Sequence, residues 1–183
     1  MSHNATLIDQ LNNLRQHDAP SADRPRTLQG QVGSVEYEVE VREVDSIGCR
    51  LRRARIAKSN SYSSPDVETE PKRSRHKSKS VTERAEELCQ RMGYLSEDLA
   101  LMEAEESAGV AIARSATTTP QAGGNEYFEA IVTPNEIDLQ RYRARPGEER
   151  ESTDFSITHE TLQRIVDDAA ATMMVRKSAK SKQ

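Results

Sequence analysis

The stretch that most constrains this chain runs from 35 to 56, VEYEVEVREVDSIGCRLRRARI, where valine or tyrosine alternates with charge before a polar turn reverses direction. Val35, Tyr37, Val39 and Val41 fall on one face of a strand, and Glu36, Glu38, Glu40 and Arg42 on the other. That two-residue repeat is the mark of a sheet with one wet face. Asp45, Ser46, Ile47 and Gly48 supply turn chemistry, so a β-hairpin folded about Asp45 is predicted. In that register Val41 faces Cys49 and Val39 faces Leu51, while Glu40 meets Arg50 and Glu38 meets Arg52. Opposed charges of this kind contribute about 0.2–1 kcal/mol each. Strict pairing beyond Leu51 would turn Arg53 and Arg55 to the apolar face. A β-bulge near Arg52 and Arg53 repairs this, setting Ala54 opposite Tyr37, Arg55 opposite Glu36 and Ile56 opposite Val35.

Hydrophobic residues make up only 34% of the 183 positions and charged residues 31%, with a mean hydropathy of −0.81, so the core is expected to be small for the length. One domain with long polar segments follows. The expected division is an N-terminal helix and linker over 1–27, one α+β domain over 28–175, and a basic tail over 176–183. Tryptophan is absent and aromatics are 4%, which argues against stacking platforms for single-stranded nucleic acid. No stretch approaches the ~18 apolar residues of a membrane helix, and MSHNATLIDQLNNLRQ lacks the basic and apolar regions of a secretory signal. No membrane association and a cytoplasmic location are therefore expected. Cys49 and Cys89 fit no zinc or redox spacing and read as buried free thiols.

Leu7, Ile8, Leu11 and Leu14 recur at helical spacing, with Asn4 or Thr6 as cap, so a short amphipathic helix is predicted over 5–16. Pro20 and Pro25 among polar residues mark 17–27 as a linker. The run 59–80 has almost nothing to bury and is expected to be a disordered insertion. Ser80 with Glu83 forms a capping box for a helix over 81–92, where Ala85, Leu88, Cys89 and Met92 share a face and Gly93 supplies a left-handed C-cap. Residues 96–116 admit a helix followed by a strand or a second hairpin. An echo of Asp45–Leu51 in Glu106–Ile112 favours the hairpin. TTTPQAGGN over 117–125 reads as a mobile loop. Strands at 126–132 and 137–143 flank a turn containing Pro134, and Thr158 should cap a helix to 173 whose Leu162, Ile165, Val166, Ala169 and Met173 form one stripe. The fold expected is α+β, an antiparallel meander of about six strands in hairpins covered by two amphipathic helices.

The chemistry-bearing residues form no catalytic constellation. His3, His17 and His76 lie in regions expected to be loose, and His159 reads as an exposed first-turn residue. Gly123 and Gly124 lack the Lys-Ser/Thr of a phosphate loop. No enzyme activity, cofactor, metal or small-molecule substrate is expected. The function expected is a protein-protein interaction module, of adaptor or chaperone-like kind, binding a protein partner or a second copy of itself. Leu7, Ile8, Leu11 and Leu14 would lie in a partner groove. The same stripe could instead pack on its own sheet. The alternative is RNA or DNA binding through basic segments: Arg50, Arg52, Arg53, Arg55 and Lys58 on the second strand, Arg141, Arg143 and Arg145 on a later one, and Lys72, Arg73, Arg75, Lys77 and Lys79 in the insertion. Against it, the strand arginines face glutamates in the predicted pairing.

Overall fold

The computed structural model describes residues 6–59, 79–115, 119–121 and 124–174, the residues 119–121 by their backbone. Helix α1 (Leu7–His17) starts from Thr6, whose hydroxyl accepts from the Asp9 N–H while the Asp9 carboxylate accepts from the Thr6 N–H. Strands β1 (Arg26–Val32), β2 (Val35–Val44) and β3 (Gly48–Lys58) follow as an up-and-down ribbon. Helix α2 (Val81–Arg91) carries the expected Ser80/Glu83 capping box. Then come β4 (Leu99–Glu105), β5 (Val110–Ser115), β6 (Thr119–Gln121), β7 (Gly124–Val132), β8 (Glu136–Ala144), β9 (Glu151–Thr153) and β10 (Phe155–Thr158), and finally α3 (His159–Met173).

The strands form one antiparallel ten-stranded sheet, so the α+β class and the antiparallel sheet are as expected, but the strand order is not a sequential meander. It runs β1-β2-β3-β8-β7-β5-β4. After β3 the chain passes through α2 to the far edge at β4 and returns strand by strand, bringing β8 beside β3. The two central strands then part. The first half of β3 pairs with β10 and its second half with β8, while the end of β8 pairs with β9. Residues 151–158 thus fill a fork between the sheet's two halves. Arg52 stands in that fork, donating to the Ser152 carbonyl at 2.9 Å and meeting Asp154 at 2.7 Å.

The hairpin at 35–56 is present, with a register two to three residues from the one expected. Val41 faces Leu51, Val39 faces Ala54, Tyr37 faces Ile56, Glu40 faces Arg53 and Glu38 faces Arg55. The cause is Asp45, which opens the turn and does not sit at its centre: its carboxylate accepts from the N–H groups of Ile47 and Gly48 at 2.8 and 2.7 Å. Those bonds hold the Asp45 carboxyl below its usual range. Arg52 is the extra residue where a bulge was predicted, and a second irregularity falls at Arg42. The second hairpin is also present, as β4 and β5 around a turn in which Gly109 takes φ of 67°, a region open to glycine.

Five local expectations are corrected. Residues 26–32, read as linker and lead-in, form β1. Residues 119–121 and 124–125, read as loop, are β6 and the start of β7, paired with each other. Gly93 is not left-handed, and α2 ends instead at Met92, whose N–H donates to the Leu88 carbonyl. His159 is buried: its Nε2 lies 2.9 Å from the Gly48 carbonyl and its N–H donates to that of Ile47, pinning α3 to the β2–β3 turn. His17, placed in a loose region, ends α1. The insertion's Lys72, Arg73, Arg75 and Lys77, and the tail, lie outside the described residues.

One core joins all three helices to one sheet face. Val39, Leu51, Ile56, Ile137, Leu139 and Val132 line the sheet, and Leu7, Leu11, Leu88, Met92, Leu162 and Ile165 meet them from the helices. Helix α1 contacts α3, β1 and β2, so it belongs to this core. Tyr37 seals that contact, its ring lying over Gly30 and its hydroxyl accepting from the Gln10 amide at 3.0 Å.

Candidate functional site

The alternation that buries Val39 and Ile56 sends Glu36, Glu38, Glu40, Arg53, Arg55, Asp138 and Glu129 to the opposite, outer face. There the β3 arginines bind carboxylates of β8. Arg53 grips Asp138 through two bonds of 2.7 Å, Arg55 donates to Glu136 at 2.6 Å, and the Gln29 amide donates to Glu38 at 2.9 Å. The bond from Arg55 holds the Glu136 carboxyl low, and that to Asp138 raises Arg53. Glu129 is wholly buried beneath Arg114 and Arg150, and Arg150 covers the Tyr142 ring, which stacks on Tyr127.

These contacts decide how the predicted site residues are used. Arg50 pairs with Glu43, Arg52 with Asp154, Arg53 with Asp138 and Arg55 with Glu136. Lys79 pairs with Glu87. Arg141 and Arg143 are not on the outer face at all. They share the parity of Ile137 and Leu139 and turn inward, where Arg141 donates to Glu97 at 2.8 Å and Glu126 at 3.1 Å and lies over the Phe128 ring. Arg143 completes the cluster by donating to Glu126 at 2.6 Å. These strand arginines are therefore spread over both faces of the sheet, each beside a carboxylate. Of the predicted partner-binding stripe, Leu7 and Leu11 are in the core, Leu14 is half-buried against it, and Ile8 alone is exposed, at 38%.

The sheet's edges differ from one another. Among the described residues β4 pairs only with β5, and β1 only with β2. β4 is defended: its pairing shifts beside Met102, and Glu103 and Glu105 stand exposed along it. Bulges and charges are the usual means of blunting an edge. β1 has neither. All seven of its residues pair with β2 without a shift, and after Arg26 it carries no charge: Thr27, Leu28, Gln29, Gly30, Gln31, Val32. Val32 and Val35 flank a two-residue turn in which Gly33 takes φ of 61°, so they form a close hydrogen-bonded pair. By the alternation of an antiparallel ladder, Thr27, Gln29 and Gln31 then direct their N–H and C=O groups away from β2. All three are exposed. Beside them a cavity of about 400 Å³ opens on the outer face, lined by Gln29, Gln31, Glu36, Glu38, Arg55 and Ala57.

Sequence reasoning missed this strand because only Leu28 and Val32 carry an apolar signal there. The signal that could have found it is the dyad repeat Thr27, Gln29, Gln31 opposite Glu40, Glu38, Glu36. Comparison with family models, with curated proteins and with solved structures finds no match to this chain.

Proposed function

We propose that the protein is a non-enzymatic protein-binding module, of adaptor or chaperone-like kind, that takes an extended segment of a partner polypeptide as an added strand along β1. The observation that carries this reading is the β1 edge, unshifted, uncharged after Arg26 and open among the described residues, with outward backbone groups at Thr27, Gln29 and Gln31. Main-chain bonds along such an edge give affinity, and pockets for alternate side chains give selectivity. Glu36 and Glu38 in the adjoining cavity favour a segment with lysine or arginine at every second position. Helix α1, by contrast, is used inside the fold.

A peptide of alternating lysine and valine, with an alternating glutamate-valine peptide as control, tests the reading by amide NMR. The lysine peptide is expected to move the resonances of Thr27, Gln29 and Gln31 and to bind more tightly than the glutamate peptide. Gln29→Pro removes an outward N–H and spares the β1–β2 ladder, a position where proline is tolerated. It is expected to keep the fold and lose the peptide. Equal binding by Gln29→Pro, or perturbation elsewhere on the sheet, refutes the assignment.

A further inference from the structure

A second cavity, of about 520 Å³, opens where the end of β3 meets the start of α2, lined by Lys58, Lys79, Glu83, Arg84, Glu106 and Pro134 among others. Its cations and carboxylates do not match. Glu83 accepts from the Ser80 N–H at 2.9 Å, and Glu106 reaches from the β4–β5 turn to accept from the N–H groups of Val81 and Thr82 at 3.3 and 3.0 Å. Both carboxylates are thus committed to the helix start. Lys79 is paired with Glu87.

Arg84 is different. It is only 3% exposed, its Nε donates to the Lys79 carbonyl at 3.3 Å, and its buried Nη1 has no hydrogen-bond partner among the described residues. A second cation of the cavity, Lys58, reaches the Asn135 side chain, at 3.4 Å, and among the described residues neither Lys58 nor Arg84 forms an ion pair. Burial lowers the basicity of both, against a smaller opposing pull of Glu87 on Arg84, and Arg84 lowers that of Lys58 further. A buried guanidinium without a partner among the described residues is costly for a fold to keep, and an anion in the cavity would complete it.

We propose that this cavity binds a phosphomonoester dianion, held by Arg84 and Lys58 with Lys79 at its rim. Two unpaired cations call for two negative charges on one small group, and the planar guanidinium fork presents paired N–H donors to its oxygens. The ligand meets side chains here, because Glu83 and Glu106 already occupy the helix N–H groups. The site is independent of the β1 edge, so either reading can fail alone.

Thermal melting of the full chain tests the proposal, with inorganic phosphate, N-acetyl-phosphoserine amide and chloride of matched ionic strength as probes. The wild-type melting temperature is expected to rise with the logarithm of phosphate or phosphoserine concentration, beyond the chloride effect, as selective binding to the folded state requires. Amide shifts should centre on Lys58, Lys79 and Arg84. Arg84→Met, similar in reach and uncharged, should melt at or above wild type in chloride and lose the response. Lys58→Met provides the same test through a milder change if Arg84→Met does not fold. Loss of the response in either variant upholds the site; a larger response to phosphoserine marks the ester as ligand, and a response to phosphate alone marks the free ion. Overturning results are no response of the wild type to either probe, or an undiminished response in both variants.

Discussion

Truncating α1 one side chain at a time separates a helix that is part of the core from one that waits for a partner. Leu11 is fully buried, Leu7 nearly so, Leu14 half-buried and Ile8 exposed at 38%. Leu→Ala at a wholly buried position costs about 2–5 kcal/mol, transfer and residual cavity together. Alanine is at least as good a helix former as leucine, so the loss at Leu11 is one of packing and not of helix propensity. Taking about 3 kcal/mol for Leu11→Ala, a chain of this length should lose roughly 6–12 °C of melting temperature. Leu14→Ala should cost about 1 kcal/mol, and Ile8→Ala no more than about 0.5 kcal/mol. Urea unfolding followed by far-ultraviolet circular dichroism gives all three values, with a common slope showing that the unfolding unit is unchanged. The order Leu11, Leu14, Ile8 is the content of the prediction. If Leu11→Ala matched Ile8→Ala within about 0.5 kcal/mol, α1 would not be docked, and the core as described would be wrong.

Three further outcomes follow from particular contacts. Gly48→Ala would place a Cβ 2.8 Å from the Ile157 carbonyl oxygen, so the β3–β10 pairing must shift, and a loss of about 1–3 kcal/mol is expected in the same unfolding assay. Arg55 holds the Glu136 carboxyl below its ordinary 4.5, so this group stabilises the fold above that pH and the contribution disappears as pH falls through its folded value. Glu136→Gln should therefore lower the melting temperature at neutral pH and flatten its fall in acid; an acid limb as steep as wild type counts against the pairing. Burial pushes the Cys49 thiol up from 9.0 to about 12, so at pH about 8 it should resist a thiol reagent in the folded protein and react on unfolding, as absorbance of the released leaving group would show.

The strong periodic signals were legible: the 35–56 ribbon, α2 with its box, and α3 from Thr158 all stand where the spacing puts them, while the second hairpin rested on the fainter echo of Asp45–Leu51 in Glu106–Ile112. What failed was pairing at a distance. Turn residues announce that a chain reverses, but whether Asp45 opens the turn or centres it depends on where its carboxylate finds N–H groups, and that fixes the whole register. β1, β6, β9 and β10 are short or polar strands, held by neighbours and not by their own pattern, so tertiary context overrides weak propensity there. His159 was misplaced for a related reason: nothing local reveals that a carbonyl at Gly48 waits for its ring. Of the candidate site, the glutamate row and the strand arginines were readable, but their joint neutralisation was only half visible, since Arg53 meets Asp138 across 85 positions of chain. The edge itself could not be read, because being last in a sheet is a property of the sheet.

The fork between β3 and β8 also sets an order of events. One side of β3 is completed entirely by residues from 136 to 158, so a growing chain that has already built β1, β2 and β3 carries a central strand with an open side until nearly all of the domain has been made. Closure across so long a separation is slow, and the exposed ribbon is vulnerable to capture by a neighbouring chain in the meantime. Refolding at high dilution should accordingly return more native protein than refolding at high concentration, and the rate of that closure would be set by how soon Phe155 and Ile157 find Leu51 and Cys49.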